Sequence, residues 1–137
     1  MPGLSTSDHG ASPPRVSIPR DYNAAHDLIE RNLRANRAGK IAFIDDQGSY
    51  PYGGLAGRVN RWANALTGLG MDMDQRVLLC LLDTIDFPTA FLGSIKAGIV
   101  PIAANTLLTA GEYEYMLKDS RARALVVSEP LLPLFAP

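Results

Sequence analysis

The chain has 137 residues, 47% hydrophobic and 20% charged, which is enough apolar mass for one α/β layer structure with a buried core and too much for a disordered chain. Thirteen basic against fourteen acidic residues leave a net charge of -1, so no basic field directs the chain to nucleic acid or to an anionic membrane, and small molecules or protein are the expected partners. A single cysteine, Cys80, excludes a disulfide framework within the chain, and no apolar stretch has the length of a signal peptide core or a membrane span, so the expected compartment is the cytoplasm.

Met1 to Arg20 carries Pro2, Pro13, Pro14 and Pro19 together with two glycines and four serines, and offers little apolar surface to bury. This predicts a flexible tail over residues 1–21. His9 has only Asp8 beside it, so a solvated histidine is favoured over a metal ligand. From Asn23 the pattern becomes helical. Asn23 suits an N-cap, Leu28, Ile29 and Leu33 form a stripe, and Asp27/Arg31 and Glu30/Arg34 are spaced i,i+4 with the acid first, which predicts a surface helix. His26 falls in its first turn without a nucleophile or carboxylate to work with, and no chemistry is assigned to it. Gly39-Lys40 is followed by Ile41 rather than Ser or Thr, so it reads as a helix stop and not as a Walker loop.

Lys40–Asp45 and Ser49–Gly53 flank Asp46-Gln47-Gly48 with alternating β-formers, the pattern of a hairpin. Leu55, Val59, Trp62, Ala63, Leu66 and Leu69 then recur at helical spacing until Gly70, and Trp62 reads as core packing rather than as a binding platform. Val77–Leu82 is an unbroken apolar run, as a strand covered on both faces requires, with Cys80 as a small buried hydrophobe. Asp83, Thr84 and Asp86 offer capping oxygens and Pro88 suits a first turn, so a helix is expected from near Phe87 to a stop at Gly98. A second strand over Ile99–Ala103, a capping box Thr109-Ala110-Gly111-Glu112 opening a helix, and a third strand over Ala124–Val127 complete the pattern. The fold class is α/β: a β-hairpin followed by a βαβαβ parallel-sheet unit.

Ligands of open α/β sheets collect at the carboxyl ends of the strands, but the first crossover, Leu82 to Phe87, has two acids and no glycine where a pyrophosphate would approach. Asp83 and Asp86 are read as helix caps in preference to an acid/base pair or Mg²⁺ ligands. No nucleophile elbow, Cys/His pairing or zinc spacing occurs.

Several blocks resemble the N-terminal part of the AMP-forming acyl- and aryl-CoA ligases, the adenylating superfamily. Tyr50-Pro51-Tyr52-Gly53-Gly54-Leu55 with Arg58-Val59-Asn60-Arg61-Trp62-Ala63-Asn64-Ala65-Leu66 is similar to the family's "TY-x-EL … RVNRLANAL" segment, and Phe91 to Ile102 to its "FLGAIKAGAVPVPLN" segment. Asp83-Thr84-Ile85-Asp86-Phe87-Pro88 and Asn105-Thr106-Leu107-Leu108-Thr109 look most like the benzoate-CoA ligase branch. The resemblance covers residues 22 to 132. It implies residues 22–137 as a truncated N-terminal portion of an adenylation domain whose parent joins an aromatic carboxylate to ATP with Mg²⁺ and passes the acyl group to coenzyme A. It also implies that the phosphate loop, the Mg²⁺ motif, the ribose-binding aspartate and the lid lysine lie beyond Pro137. The apolar close at Leu131–Phe135 agrees with that expectation. Gly54 stands where the family commonly has an acid, and Leu107 near where some aryl-CoA ligases carry an arginine toward coenzyme A. Accordingly no catalytic, cofactor-binding or metal residue is assigned, and the remainder of its own chain is an expected partner. The alternatives are a stand-alone flavodoxin-like binding or regulatory module and a non-enzymatic fragment that meets another chain through its open sheet edge.

Overall fold

The structure, a computed structural model, describes residues 2–136. Seven strands and four α-helices follow in the order β1 (Thr6–Asp8), β2 (Arg15–Ser17), α1 (Ala24–Arg34), β3 (Ile41–Asp45), β4 (Gly48–Pro51), α2 (Tyr52–Gly68), β5 (Arg76–Cys80), α3 (Asp86–Lys96), β6 (Val100–Ala103), α4 (Ala110–Ser120) and β7 (Ala124–Val127), with a 3-10 helix over Glu129–Leu134. β5 is central: the sheet order is β6-β5-β7, parallel throughout, with Val77 opposite both Pro101 and Ala124. Strand alternation divides its side chains. Val77, Leu79 and Leu81 face a cluster with Leu66, Ala90 and Ile99, which puts α2 and α3 on one side, while Leu78 and Cys80 pack with Ala104 and Tyr113 on the α4 side. A strand buried on both faces has no place for alternating polar residues, which is why 77–81 reads as a continuous apolar run.

A third cluster, Ile29, Leu55, Val59 and Ile85, joins α1 and the β3–β4 hairpin to the outer side of α2 and α3. The α2–α3 contact is close. Gly93 lies against the Trp62 ring, and the indole Nε1 donates to Ser94 Oγ at 3.2 Å. Trp62 is therefore a packing residue between helices, as its place in the stripe predicts, although it also borders a cleft.

Helix ends depart from expectation in three places, the first at α2, which opens at Tyr52 so that Tyr52 and Gly53, expected in the second hairpin strand, lie in its first turn. α1 stops at Arg34 and Asn36 takes the left-handed turn (φ 61°), so Gly39 is not the stop; Asn tolerates that conformation because its short amide bonds locally. At α3 the N-cap position is Ile85, with no side-chain cap from Asp83, Thr84 or Asp86. The Ile85 N–H instead donates to Asp45 Oδ2 at 2.9 Å, a carboxylate brought from the hairpin. The other ends follow the sequence: Asn23 caps α1, Thr109 and Glu112 form the reciprocal box on α4, and Gly70 and Gly98 adopt positive φ of 76° and 77° after α2 and α3.

Residues 1–21 are expected as a flexible tail; over the described residues 2–21 the segment carries regular structure. β1 and β2 form an antiparallel ladder, and a bridge from Gly3 to Tyr22 closes the segment into a loop. Asp27, expected on the surface of α1, is 3% exposed beneath it. Its carboxylate accepts from Ser5 N, Ser5 Oγ (2.5 Å), Tyr22 Oη and Arg31 Nη2 (2.7 Å). The i,i+4 pair with Arg31 forms as spaced, but the acid is covered because the arm brings its own donors to it.

Candidate functional site: a cleft at the carboxyl ends of β5 and β7

From β5 the chain crosses through α3 to β6, and returns through α4, on the other face, to β7. The carboxyl ends of β5 and β7 are thus the point where the two connections diverge, the place where an open α/β sheet leaves a crevice. A cleft of about 620 Å³ opens there. Leu81, Ala90 and Val126 form its apolar floor; Gln47, Thr84, Asp86, Thr89, Ser128 and Glu129 supply polar groups, and Trp62 flanks it. Ser128 Oγ accepts from Leu82 N at 3.0 Å, tying the two strand ends together. Thr89 Oγ1 donates to Ile85 O at 2.7 Å and is committed to its own helix.

The hairpin reaches this cleft through Gln47, and a carboxylate behind it, Asp45, ties the hairpin turn to the start of α3. Asp45 Oδ1 accepts from Gln47 N (2.9 Å), Gly48 N (3.0 Å) and Tyr50 Oη (3.3 Å), while Oδ2 accepts from Ile85 N. These bonds, the Ile85 N–H foremost, hold the Asp45 carboxyl below its ordinary pKa against the cost of desolvation. Burial and the adjacent Asp45 charge push the Tyr50 phenol up. The Arg58 guanidinium lies 5.3 Å from the Tyr50 ring centroid and reaches Asp86 at 3.6 Å.

Asp83 and Asp86 therefore do not act as a pair of caps: Asp83 is exposed at the loop, and Asp86 meets Arg58. Among the described residues no three His, Cys, Asp or Glu side chains are grouped to hold a metal ion, and His9 bonds only to Ser7 Oγ. His26 Nε2 is buried without a partner and does not reach the cleft. Cys80 is fully buried, Leu107 is 88% exposed after β6, and Gly54 is exposed in α2. The Thr109 capping box serves the backbone of α4. With Asp86 and Glu129 at the rim and no lysine or glycine-rich turn in the lining, the cleft does not fit a Mg-triphosphate by its own residues. Asp45 is the residue that sequence reasoning missed. Its signal was faint: an acid ending a strand before a hairpin turn ordinarily bonds that turn, and nothing local points it at a helix forty residues on.

A second concavity, about 340 Å³, is apolar and lies on the far side of α3, between Leu28, Phe43, Tyr52, Phe87, Phe91 and Leu92. No described helix is long and apolar enough to cross a membrane.

Comparison with known proteins places this architecture. The model of the AMP-binding enzyme family matches residues 29–135. The benzoate–CoA ligase of Thauera aromatica is 63% identical over 135 residues, covering 98% of this chain and 26% of that protein. The 4-hydroxybenzoate–CoA/benzoate–CoA ligase of Rhodopseudomonas palustris is 50% identical over 115 residues, 84% of this chain and 21% of that protein. Among solved structures, a benzoate CoA ligase from Burkholderia xenovorans LB400 superposes with a TM-score of 0.80 at 48% identity, over 83% of this chain and 23% of that one. The chain thus spans about a quarter of the length of the curated relatives it matches. With the family model matched from α1 through the 3-10 helix, and the parallel sheet shared with adenylating-enzyme N-terminal domains, the chain belongs to the AMP-binding enzyme family.

Proposed function

We propose that this chain is the N-terminal scaffold portion of an ATP-dependent aryl-acid CoA ligase of the benzoate type. In the reaction of such an enzyme a carboxylate attacks ATP to give an acyl-adenylate and pyrophosphate, and coenzyme A thiol then displaces AMP to give the acyl-CoA. The observation that carries the reading is the 63% identity with the Thauera aromatica benzoate–CoA ligase across almost the whole chain. Residues 22–137 are read as part of the adenylation domain and residues 1–21 as an arm preceding it.

The part these residues take is positional. Mg-ATP would be held mainly by groups elsewhere in such an enzyme, since this cleft offers a triphosphate no cation. The buried sheet fixes the carboxyl ends of β5 and β7, and the latch at Asp45 fixes the loop between β5 and α3, so a substrate approaching that edge meets a preset wall.

The test is a hybrid in which residues 1–137 replace the matching segment of the Thauera ligase. Acid-dependent pyrophosphate exchange is measured with benzoate, 4-hydroxybenzoate, acetate and palmitate. The expected result is activity with an aryl preference. A folded hybrid that activates no acid, or prefers acetate or palmitate, overturns the assignment. Calorimetry on the 137-residue chain should show no saturable binding of Mg-ATP in the micromolar range, roughly -8 kcal/mol; such binding would favour a stand-alone nucleotide module.

A further inference from the structure

We propose that Asp45 is a positioning residue for the cleft at the ends of β5 and β7, setting two of its walls with one carboxylate. For the reaction, this rests on the aryl-acid ligase reading above.

The argument begins with the backbone. The first N–H groups of a helix have no intrahelical acceptor, and a buried one left unpaired is costly. α3 begins with Ile85 at its N-cap, 4% exposed, and none of the neighbouring oxygens takes the Ile85 N–H. Thr84 Oγ1 reaches only Asp86 N, at 3.4 Å. The Ile85 N–H is answered by Asp45 Oδ2, from a different element. The other oxygen, Oδ1, gathers the amides of Gln47 and Gly48 in the hairpin turn. Gln47 stands on the hairpin side of the cleft, and Thr84 and Asp86 stand on the loop side. One rigid carboxylate plane thereby fixes the separation of the two.

A second link closes the circuit. Tyr50 Oη donates to Asp45, the Tyr50 ring carries Arg58, and Arg58 meets Asp86 on the first turn of α3. Hairpin, α2 and α3 are thus joined around the loop, with Asp45 the member that bonds both sides. A side chain of the same shape carrying an amide cannot do this, because its NH₂ would face an N–H donor at one of the two positions.

The experiment has two arms. In the 137-residue chain, amide exchange and acrylamide quenching of the single tryptophan, Trp62 at the cleft, are measured for the native chain, Asp45→Asn, Asp45→Ala and Tyr50→Phe. The expected result for Asp45→Ala is at least about tenfold faster exchange at Ile85 with stronger quenching of Trp62, while the Leu78 and Leu79 amides change less than about twofold. Asp45→Asn should free one side only, and Tyr50→Phe should leave Ile85 protected. Ile85 exchange unchanged in both Asp45 variants, or acceleration of β5 by the same factor as Ile85, overturns the proposal. In the second arm the Thauera hybrid carries Asp45→Asn. There kcat with benzoate, counted per folded enzyme from circular dichroism well below the Tm, should fall about tenfold or more with KM within about threefold; without that normalisation a loss of folded protein would give the same split. An unchanged kcat overturns the positioning role. A native hybrid that is inactive counts against the ligase reading instead, and the first arm then decides whether Asp45 sets the walls.

Discussion

Gly93→Ala tests the close contact between α2 and α3. A Cβ at residue 93 would stand 2.6 Å from Trp62 Cδ1, 2.8 Å from Trp62 Cβ and 2.9 Å from Trp62 Cγ, all inside contact distance. Because Cβ and Cγ lie at the root of the indole, a rotamer change cannot relieve the clash, and α2 must move away from α3. Overpacking of this kind costs about 1–3 kcal/mol. Weakening the Trp62 to Ser94 hydrogen bond adds about 1 kcal/mol. Replacing glycine within a helix returns up to about 1 kcal/mol. The net expectation is a loss of about 1–3 kcal/mol, read as a lowered urea midpoint with an unchanged slope by circular dichroism. In a Trp62→Ala background two of the three contacts disappear, so the cost of Gly93→Ala should shrink by about 1 kcal/mol or more. Equal costs in the two backgrounds would refute the reasoning, whatever their size.

Other outcomes follow from burial, capping and charge. Leu79→Ala, at a fully buried site between β5 and the α2–α3 face, should cost about 2–5 kcal/mol in the same urea assay. Thr109→Ala removes one half of the capping box and should cost about 1 kcal/mol, read from the helical signal on melting. The Asp27 carboxyl, whose pKa is lowered from 3.8 to about 2 chiefly by the Ser5 hydroxyl, stabilises the fold above its unfolded value, and that stabilisation is lost as pH falls through about 2. The melting temperature should therefore drop over that acid window, and less so in Asp27→Asn. Limited proteolysis at neutral pH should cut within the exposed 9–14 turn in the native chain and extend toward Ser5 and Tyr22 in Asp27→Ala; a native arm cut as freely as the variant's would mean that the Asp27 carboxylate does not hold it.

What the sequence showed and what it hid divide along one physical line. Local signals were legible: the Asn23 cap, the Thr109–Glu112 box, the glycines after α2 and α3, and the apolar run of β5 each act within a few residues. Asp27 misled because the same i,i+4 spacing serves an exposed ion pair and a buried one, and the difference lies in Ser5 and Tyr22, whose approach no helical pattern announces. The cap of α3 misled for a similar reason. Three plausible oxygens stood next to Ile85, and the one used came from across the fold. The strand ends were weighed as a ligand location and left without a site, because the Leu82–Phe87 crossover has two acids and no glycine; the cleft there draws its lining from the hairpin, α2, α3 and the turn after β7, a combination that only the packing reveals.

The placement of β5 between its two neighbours also bears on how the sheet assembles. Val77 pairs with Pro101, a separation of about two dozen residues, and with Ala124 at about twice that distance along the chain. Each doubling of a closed loop adds about 0.6 kcal/mol of entropic cost. Closure onto β6 is therefore the cheaper first step, and β7 docks on an edge already straightened by its partner. Substitutions in α3 and β6 should then slow refolding, whereas those in α4 and β7 should chiefly hasten unfolding, a difference that stopped-flow chevrons resolve.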